Sequence, residues 1–151
     1  MKKFFLLIGA VAVLGGCKKS DESPAAASSR ADLLTAKSWR LSTATVTANG
    51  FPVPSNVFIQ DCNKDDTFKF NADKTVMQDA GAIKCNTSDP QTQADTWSLN
   101  SDQSKLTISI PNSPLNGEAD VRELTPNTLR IYGTPSLSGI PLTFDATFVP
   151  N

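Results

Sequence analysis

The sequence predicts an all-β protein, a single antiparallel up-and-down β-barrel of about eight strands with a short N-terminal helix. Eight short stretches after residue 38 alternate apolar with polar side chains, which is typical of half-buried strands. The connections between them are mostly turn-like and contain no helical span, so neighbouring strands are expected to pair antiparallel. Closure of the sheet removes its exposed edges. A two-sheet sandwich is the alternative, because strand patterning alone does not decide closure.

Each predicted element has a local signal. Residues 30–37 predict a short helix or turn that brings Leu33 and Leu34 to the core. The irregular spacing of Val121 and Leu124 predicts a β-bulge in that strand. The eight strands are marked, in order, by Trp39 and Leu41; Phe68 and Phe70; Val76; Trp97 and Leu99; Leu106, Ile108 and Ile110; Val121 and Leu124; Leu129 and Ile131; and Leu142, Phe144 and Phe148.

The N-terminus has the pattern of an export signal. Two lysines precede an apolar run over residues 4–14, and Gly15 and Gly16 stand directly before Cys17. A charged start, a short apolar run and small residues at the cleavage site define such signals. The run is too short to cross a membrane, which takes about 20 residues in a helix. We therefore predict a signal peptide over residues 1–16; a secretory signal with a chance cysteine is the alternative.

The residues around Cys17 resemble the lipobox of bacterial lipoproteins, in which the cysteine becomes a lipidated N-terminus. This resemblance implies that Cys17 carries lipid and that the protein contacts a membrane through it. Residues 18–29 contain no large apolar side chain, so we predict a flexible, lipidated tether over residues 17–29. The charged residues after Cys17 also resemble the surface-export signals of Bacteroidetes lipoproteins. They imply an outer-membrane location, either periplasmic or surface-exposed.

The composition argues against several function classes. The chain has a net charge of −1 and no basic cluster with interleaved aromatic residues, so we expect no nucleic-acid partner. It contains no histidine, which removes the commonest general base and the commonest nitrogen ligand for metals. Nucleophile elbows, Ser-x-x-Lys boxes and phosphate-binding loops are also missing from the sequence. We predict that the protein is not an enzyme, and we assign no catalytic residue, cofactor or metal ligand.

Cysteine usage predicts one disulfide. With Cys17 assigned to lipid, Cys62 and Cys85 remain, and in an exported protein two such residues most simply pair. Closing the loop between them is expected to stabilise the fold by about 3 kcal/mol. Two free thiols or a redox pair are the alternative, although the C-x-x-C spacing is absent.

The acidic residues Asp61, Asp65, Asp66 and Asp73 are candidates for a calcium site. Their spacing lacks the alternating pattern, the glycine and the late glutamate of a known calcium loop. We interpret Asp65 and Asp66 as residues that solvate a loop and start a strand.

The aromatic residues are the candidates for ligand binding. Their faces could line an apolar cavity, or they could simply fill the core. The predicted ligand-binding residues are Trp39, Phe51, Phe58, Phe68, Trp97 and Phe144.

Three proline-rich segments are candidates for a binding mouth. The segment 49–59 combines two prolines with five large apolar residues, a composition found in lids and contact surfaces. Segments 111–117 and 133–141 are also rich in proline, glycine and serine. Gathered at one rim, the three would form a mouth; alternatively, the first merely plugs the barrel end beside the disulfide.

Several runs together resemble the lipocalin-like domains of Bacteroidetes lipoproteins over roughly residues 30 to 149. The most specific is Cys62-Asn63-Lys64-Asp65-Asp66 followed by the Phe68-Lys69-Phe70 strand. Lys37 and Lys74 stand where the pattern has glycine. The resemblance implies a small lipocalin-like barrel over the domain 30–151 and no established activity. The other runs are 33–39, Cys85, 96–99 and 123–125.

These inferences predict a cell-envelope lipoprotein that binds a small apolar ligand in its barrel. The alternative is a non-catalytic protein-interaction or inhibitor module with a filled barrel, which contacts another envelope protein. An apolar cavity of about 300 Å³ or more would favour the first. A filled interior with an exposed apolar patch would favour the second, and a buried carboxylate pair in a cleft would favour an enzyme.

Overall fold

A computed structural model of the 151-residue chain describes residues 29–111, 115–137 and 139–151. The predicted signal peptide, Cys17 and the tether up to residue 28 lie outside the described residues. The described chain begins with helix α1 (Arg30–Thr35) and contains two 3-10 turns (Ser55–Val57 and Asp61–Asn63). Its strands are β1 (Ser38–Ala48), β2 (Phe51–Val53), β3 (Thr67–Phe70), β4 (Thr75–Asp79), β5 (Thr92–Leu99), β6 (Lys105–Ser109), β7 (Gly117–Leu124), β8 (Leu129–Gly133), β9 (Ser136–Leu137) and β10 (Ile140–Pro150).

Eight of these strands form a closed antiparallel barrel, which confirms the predicted fold class. The strands β1, β3, β4, β5, β6, β7, β8 and β10 pair in that order. Pairing of β1 with β10 closes the sheet, with Trp39 opposite Pro150 and Ala48 opposite Leu142. Such closure rules out the sandwich. The short strands β2 and β9 are additions that pair with β1 and β10, respectively.

The predicted bulge is present. The pairing of β7 with β8 shifts register between Val121 and Glu123, so one extra residue in β7 accounts for the irregular apolar spacing. A second register shift lies between Leu41 and Thr43 in β1, which the sequence analysis did not predict.

Helix α1 and the hairpin turns 71–74, 100–104 and 125–128 lie at one end of the barrel, which we call the closed end. The helix begins with a capping box between Ser29 and Asp32, which satisfies backbone N–H groups of its first turn. Arg30 donates from Nη1 to the carbonyl oxygens of Gln103 and Val121 at 2.9 and 3.2 Å. These bonds hold helix α1 across the closed end of the barrel.

Buried side chains fill the barrel near the closed end. Leu34 and Trp39 are completely buried, and the indole Nε1 of Trp39 donates to the Leu34 carbonyl at 2.9 Å. Phe70 and Trp97 pack edge to face with ring centroids 5.7 Å apart, a favoured aromatic geometry. Strand alternation places these side chains inside the barrel.

Lys74 adopts the left-handed conformation that usually favours glycine, with φ of 70°. Its ammonium lies 4.1 Å from the centroid of the Trp97 ring. This cation–π contact offsets part of the backbone strain, which accounts for a lysine at a position where the family pattern has glycine.

Within the described part of the chain, no helix has the length and apolar character needed to cross a membrane.

Candidate functional site

The barrel end opposite helix α1 is formed by long connections, and we call it the open end. β1 ends at Ala48, β6 at Ser109 and β8 at Gly133. In an up-and-down barrel these three ends lie on the same side. The segments 49–59, 111–117 and 133–141 therefore meet at one rim, as far as the structure describes them.

A cavity of about 690 Å³ occupies the barrel interior at this end. The described segments of the rim contribute Val57, Phe58 and Pro135 to its lining, among others. One wall is apolar because the inward-facing residues of β1 and β10 are apolar. It includes Leu41, Ala44, Val46, Leu142, Phe144 and Ala146.

A glycine makes room for one of these rings. Gly133 on β8 lies opposite Phe144 on β10, and a Cβ atom at this position would overlap the Phe144 ring. The absence of a side chain at Gly133 therefore allows Phe144 to lie inside the barrel and line the cavity.

Another part of the lining is polar. It contains Asn63, Asp66, Gln78 and Gln93. Phe68 and Gln78 are cross-strand partners on β3 and β4, so Gln78 points into the barrel beside an aromatic ring. The cavity is therefore amphipathic, with hydrogen-bonding groups concentrated on the side of β3, β4 and β5.

Asp66 is the buried residue of this polar group. Its exposed fraction is 3 %, and its Oδ2 accepts hydrogen bonds from Gln78 Nε2 at 2.8 Å and Asn63 Nδ2 at 3.4 Å. Burial raises the pKa of its carboxyl above the ordinary value, and repulsion from Asp65 and Asp79 acts in the same direction. The two amide hydrogen bonds oppose this rise.

The disulfide between Cys62 and Cys85 is confirmed. Their Cα atoms are 5.1 Å apart, and the bond ties the connection before β3 to the connection before β5. Asp65 Oδ2 reinforces this link by accepting from the backbone N–H groups of Ala82 and Ile83 at 2.6 and 3.1 Å.

A second cavity, of about 250 Å³, lies beneath the disulfide. Its lining includes both cysteines and shares a set of residues with the larger cavity. The shared residues are Asn63, Asp66, Gln78, Gln93 and Pro111. The polar group thus separates the two spaces.

The structure brings together three of the six predicted ligand-binding residues. Phe58, Phe68 and Phe144 line the larger cavity. The other three, Trp39, Trp97 and Phe51, are not in its lining.

Those three residues lie elsewhere for physical reasons. Trp39 and Trp97 are buried near the closed end, where Trp97 donates from Nε1 to the Asn71 carbonyl at 3.0 Å. Phe51 is 74 % exposed because the edge strand β2 holds it outside the barrel. Alternation predicts which face a side chain takes, but not its depth along the barrel.

The acidic residues correct one sequence-based interpretation. Asp66 does not solvate a loop: it is buried because the Gln78 and Asn63 amides satisfy it. Asp61 forms an exposed pair with Lys64 at 2.6 Å, and Asp73 lies at the closed end, where it accepts from Thr75. The four carboxylates considered as a calcium site therefore do not meet at one point. The described residues contain no cluster that could hold a metal ion.

Sequence reasoning missed the polar wall. Gln78 and Gln93 are cross-strand partners on β4 and β5, in phase with the buried residues Val76 and Trp97 of the same strands. The signal was available, because a glutamine in phase with buried apolar residues on alternating positions points into the interior.

The chain shows similarity to known proteins. The family model described as "Lipocalin-like domain" matches residues 35–131, which is more than half of the chain. A solved complex of bovine odorant binding protein with a selenium-containing odorant is 15% identical, with a TM-score of 0.47. The alignment covers 83% of this chain and 74% of that one. No curated protein sequence matches the chain.

Proposed function

The chain belongs to the lipocalin-like domain family, and from that premise we propose that its barrel binds one small, mainly apolar molecule. The observation that carries this proposal is the cavity of about 690 Å³ at the open end. Its volume falls in the range of about 300–1,000 Å³ that is usual for small-molecule sites. Its walls combine an apolar surface with a few polar groups, which is the composition expected of such sites.

A substitution that fills the cavity tests this proposal. Ala44 lies on β1 in the cavity lining, so Ala44→Trp would place an indole where a guest must lie. We expect the affinity for the fluorescent apolar probe N-phenyl-1-naphthylamine to fall at least about tenfold, because most of a guest's contact surface is lost. Fluorescence titration of the purified domain measures this.

The matched control is Ala94→Trp on β5. Ala94 is exposed and outside the lining of both cavities, so the same change in side-chain size should leave probe affinity unchanged. Equal probe binding by wild type and Ala44→Trp would place the guest elsewhere and contradict the proposal.

A second candidate function is contact with another envelope protein through the rim. Phe51 and Val57, which belong to the segment 49–59, are 74 % and 63 % exposed, and Ile140 is 45 % exposed. Exposed apolar residues grouped on a rim favour a protein partner. An inhibitor with a filled barrel fits less well, because the interior at the open end contains the large cavity.

The proposed role is non-enzymatic. Burial raises the pKa of the Asp66 carboxyl. Its neighbour Asp65 uses Oδ2 to hold the backbone of Ala82 and Ile83. The two therefore lack the arrangement of a paired acid and base.

We also propose that the protein is a lipoprotein of the cell envelope, anchored to the outer membrane and either periplasmic or surface-exposed. The support is the sequence before the domain: a short apolar run, two glycines and Cys17, followed by a polar segment. Cys17 would carry the lipid, and residues 17–29 would act as the tether.

Cys17→Ser tests the anchor. We expect the protein expressed in a lipoprotein-exporting bacterium to move from the membrane pellet to the soluble fraction, because serine cannot receive the thioether-linked lipid. Fractionation by ultracentrifugation, with mass spectrometry of the N-terminal peptide, measures both location and modification. Lys18→Ser, which changes the adjacent residue and keeps the thiol, should remain in the pellet. Retention of Cys17→Ser in the membrane would refute the anchor.

A further inference from the structure

We propose that the guest of the open-end cavity is an amphiphile with an apolar body and a protonated amine, and that the amine binds to Asp66. This inference rests on the proposed ligand binding and names the chemical class of the ligand. It is carried by the position, burial and hydrogen bonding of Asp66 within the cavity wall.

Asp66 is a buried carboxylate whose hydrogen-bond partners among the described residues are neutral amides. It is only 3 % exposed, yet it lines both cavities. Both of its hydrogen bonds, from Gln78 and Asn63, fall on Oδ2. Its Oδ1 therefore keeps its capacity to accept a further hydrogen bond.

The surrounding charges increase the need for a cation. Asp65 and Asp79 repel the Asp66 carboxylate, and Asp65 Oδ1 is itself buried without a hydrogen-bond partner among the described residues. Lys84 lines the smaller cavity, but its ammonium donates to the Asp89 carbonyl at 2.9 Å. A buried carboxylate is unfavourable unless a cation or several donors accompany it.

The apolar part of the cavity wall favours a guest whose other end is apolar. Apolar residues of β1 and β10 form the adjoining wall, because β1 pairs with β3 directly after Asp66. They offer surface to a hydrocarbon chain or ring. A guest with a carboxylate head would be repelled by Asp66 and its acidic neighbours. A neutral alcohol can donate one hydrogen bond but brings no charge. A protonated amine supplies both a hydrogen bond and a positive charge. Charge-assisted hydrogen bonds are stronger than hydrogen bonds between neutral groups.

Competition among head groups on one hydrocarbon chain tests the inference. Decylamine, 1-decanol and decanoate would be used at pH 7 to displace N-phenyl-1-naphthylamine from the wild-type domain. We expect decylamine to bind about tenfold more tightly than 1-decanol, which is the factor expected for one charge-assisted hydrogen bond. Decanoate should bind more weakly than either. Equal affinities for the amine and the alcohol would overturn the inference.

Asp66→Asn removes the charge and keeps the shape. We expect it to bind the probe within about twofold of wild type and to lose the preference for decylamine over 1-decanol. The matched control is Asp61→Asn: Asp61 is also at the open end, but it is exposed and outside both linings. Asp61→Asn removes the same charge and should keep the preference for decylamine over 1-decanol. A preference that survives Asp66→Asn would overturn the inference.

The outcomes separate this inference from the proposed function. Failure of the wild-type domain to bind the probe would refute ligand binding, and the amine inference with it. Probe binding with no amine preference would refute the amine inference alone. The wild-type ratio needs no substitution, so it decides the question even if Asp66→Asn does not fold.

Discussion

Replacing Trp39 with alanine is expected to lower the free energy of unfolding by about 3–5 kcal/mol, the range for removing a large buried aromatic side chain. Trp39 is completely buried, and its Nε1 bond to the Leu34 carbonyl ties helix α1 to β1. The substitution therefore leaves a void and frees the helix that covers the closed end. Urea denaturation followed by far-ultraviolet circular dichroism measures the change.

Two further variants separate the causes. Trp39→Phe keeps an aromatic ring but removes the indole donor, so its loss should be smaller than that of Trp39→Ala. Phe51→Ala removes an aromatic side chain that is 74 % exposed and should change stability by no more than about 0.5 kcal/mol. A loss below about 1 kcal/mol for Trp39→Ala would contradict the central role assigned to this side chain.

Removing the disulfide has the second largest expected effect. The double variant Cys62→Ser/Cys85→Ser should be less stable by about 3 kcal/mol, because the unfolded chain regains the freedom of a loop with a sequence separation of 23. The lost bond also frees two connections at the open end, so affinity for N-phenyl-1-naphthylamine should fall as well. Urea denaturation and probe titration measure the two effects.

Reduced wild-type protein is the control for the serine substitutions themselves. It should match the double variant in the midpoint of urea denaturation, since both lack the same covalent bond. A double variant as stable as oxidised wild type would show that the Cys62–Cys85 bond is not a stabilising element of this fold.

The strands were the most predictable part of the fold. Runs such as Leu106, Ile108 and Ile110 alternate strictly, and all three side chains are buried in the barrel. The irregular spacing of Val121 and Leu124 also predicted a register shift that is present between β7 and β8. These signals are local, because a strand's two faces are set by neighbouring residues along the chain.

One feature of the fold does not depend on local sequence patterns, and another has a local signal that was missed. Closure depends on the pairing of Trp39 with Pro150, which the pattern of either strand alone does not specify. Strand β2 was missed, although Asn49 and Gly50, both with positive φ, form the Asn-Gly turn that favours two-residue hairpins. The prolines in the same segment favour a loop over a strand, so the sequence analysis predicted a loop there.

The site was predicted only in part, for a physical reason. A mouth at one rim was one of two interpretations of the proline-rich segments, and Phe58, Phe68 and Phe144 do line the cavity. The role of Asp66 depends on Gln78, which is 12 residues away and on the next strand. A loop aspartate and an amide on a strand look unrelated until pairing of β3 with β4 brings them together.

The route of the chain into the barrel also places the proposed point of attachment away from the cavity. The start of β1 and the end of β10 lie side by side at the closed end, and helix α1 is fixed there by Arg30. With the anchor proposed at Cys17, the chain would enter the domain at the closed end, opposite the cavity. The attachment would then leave the mouth of the cavity unobstructed.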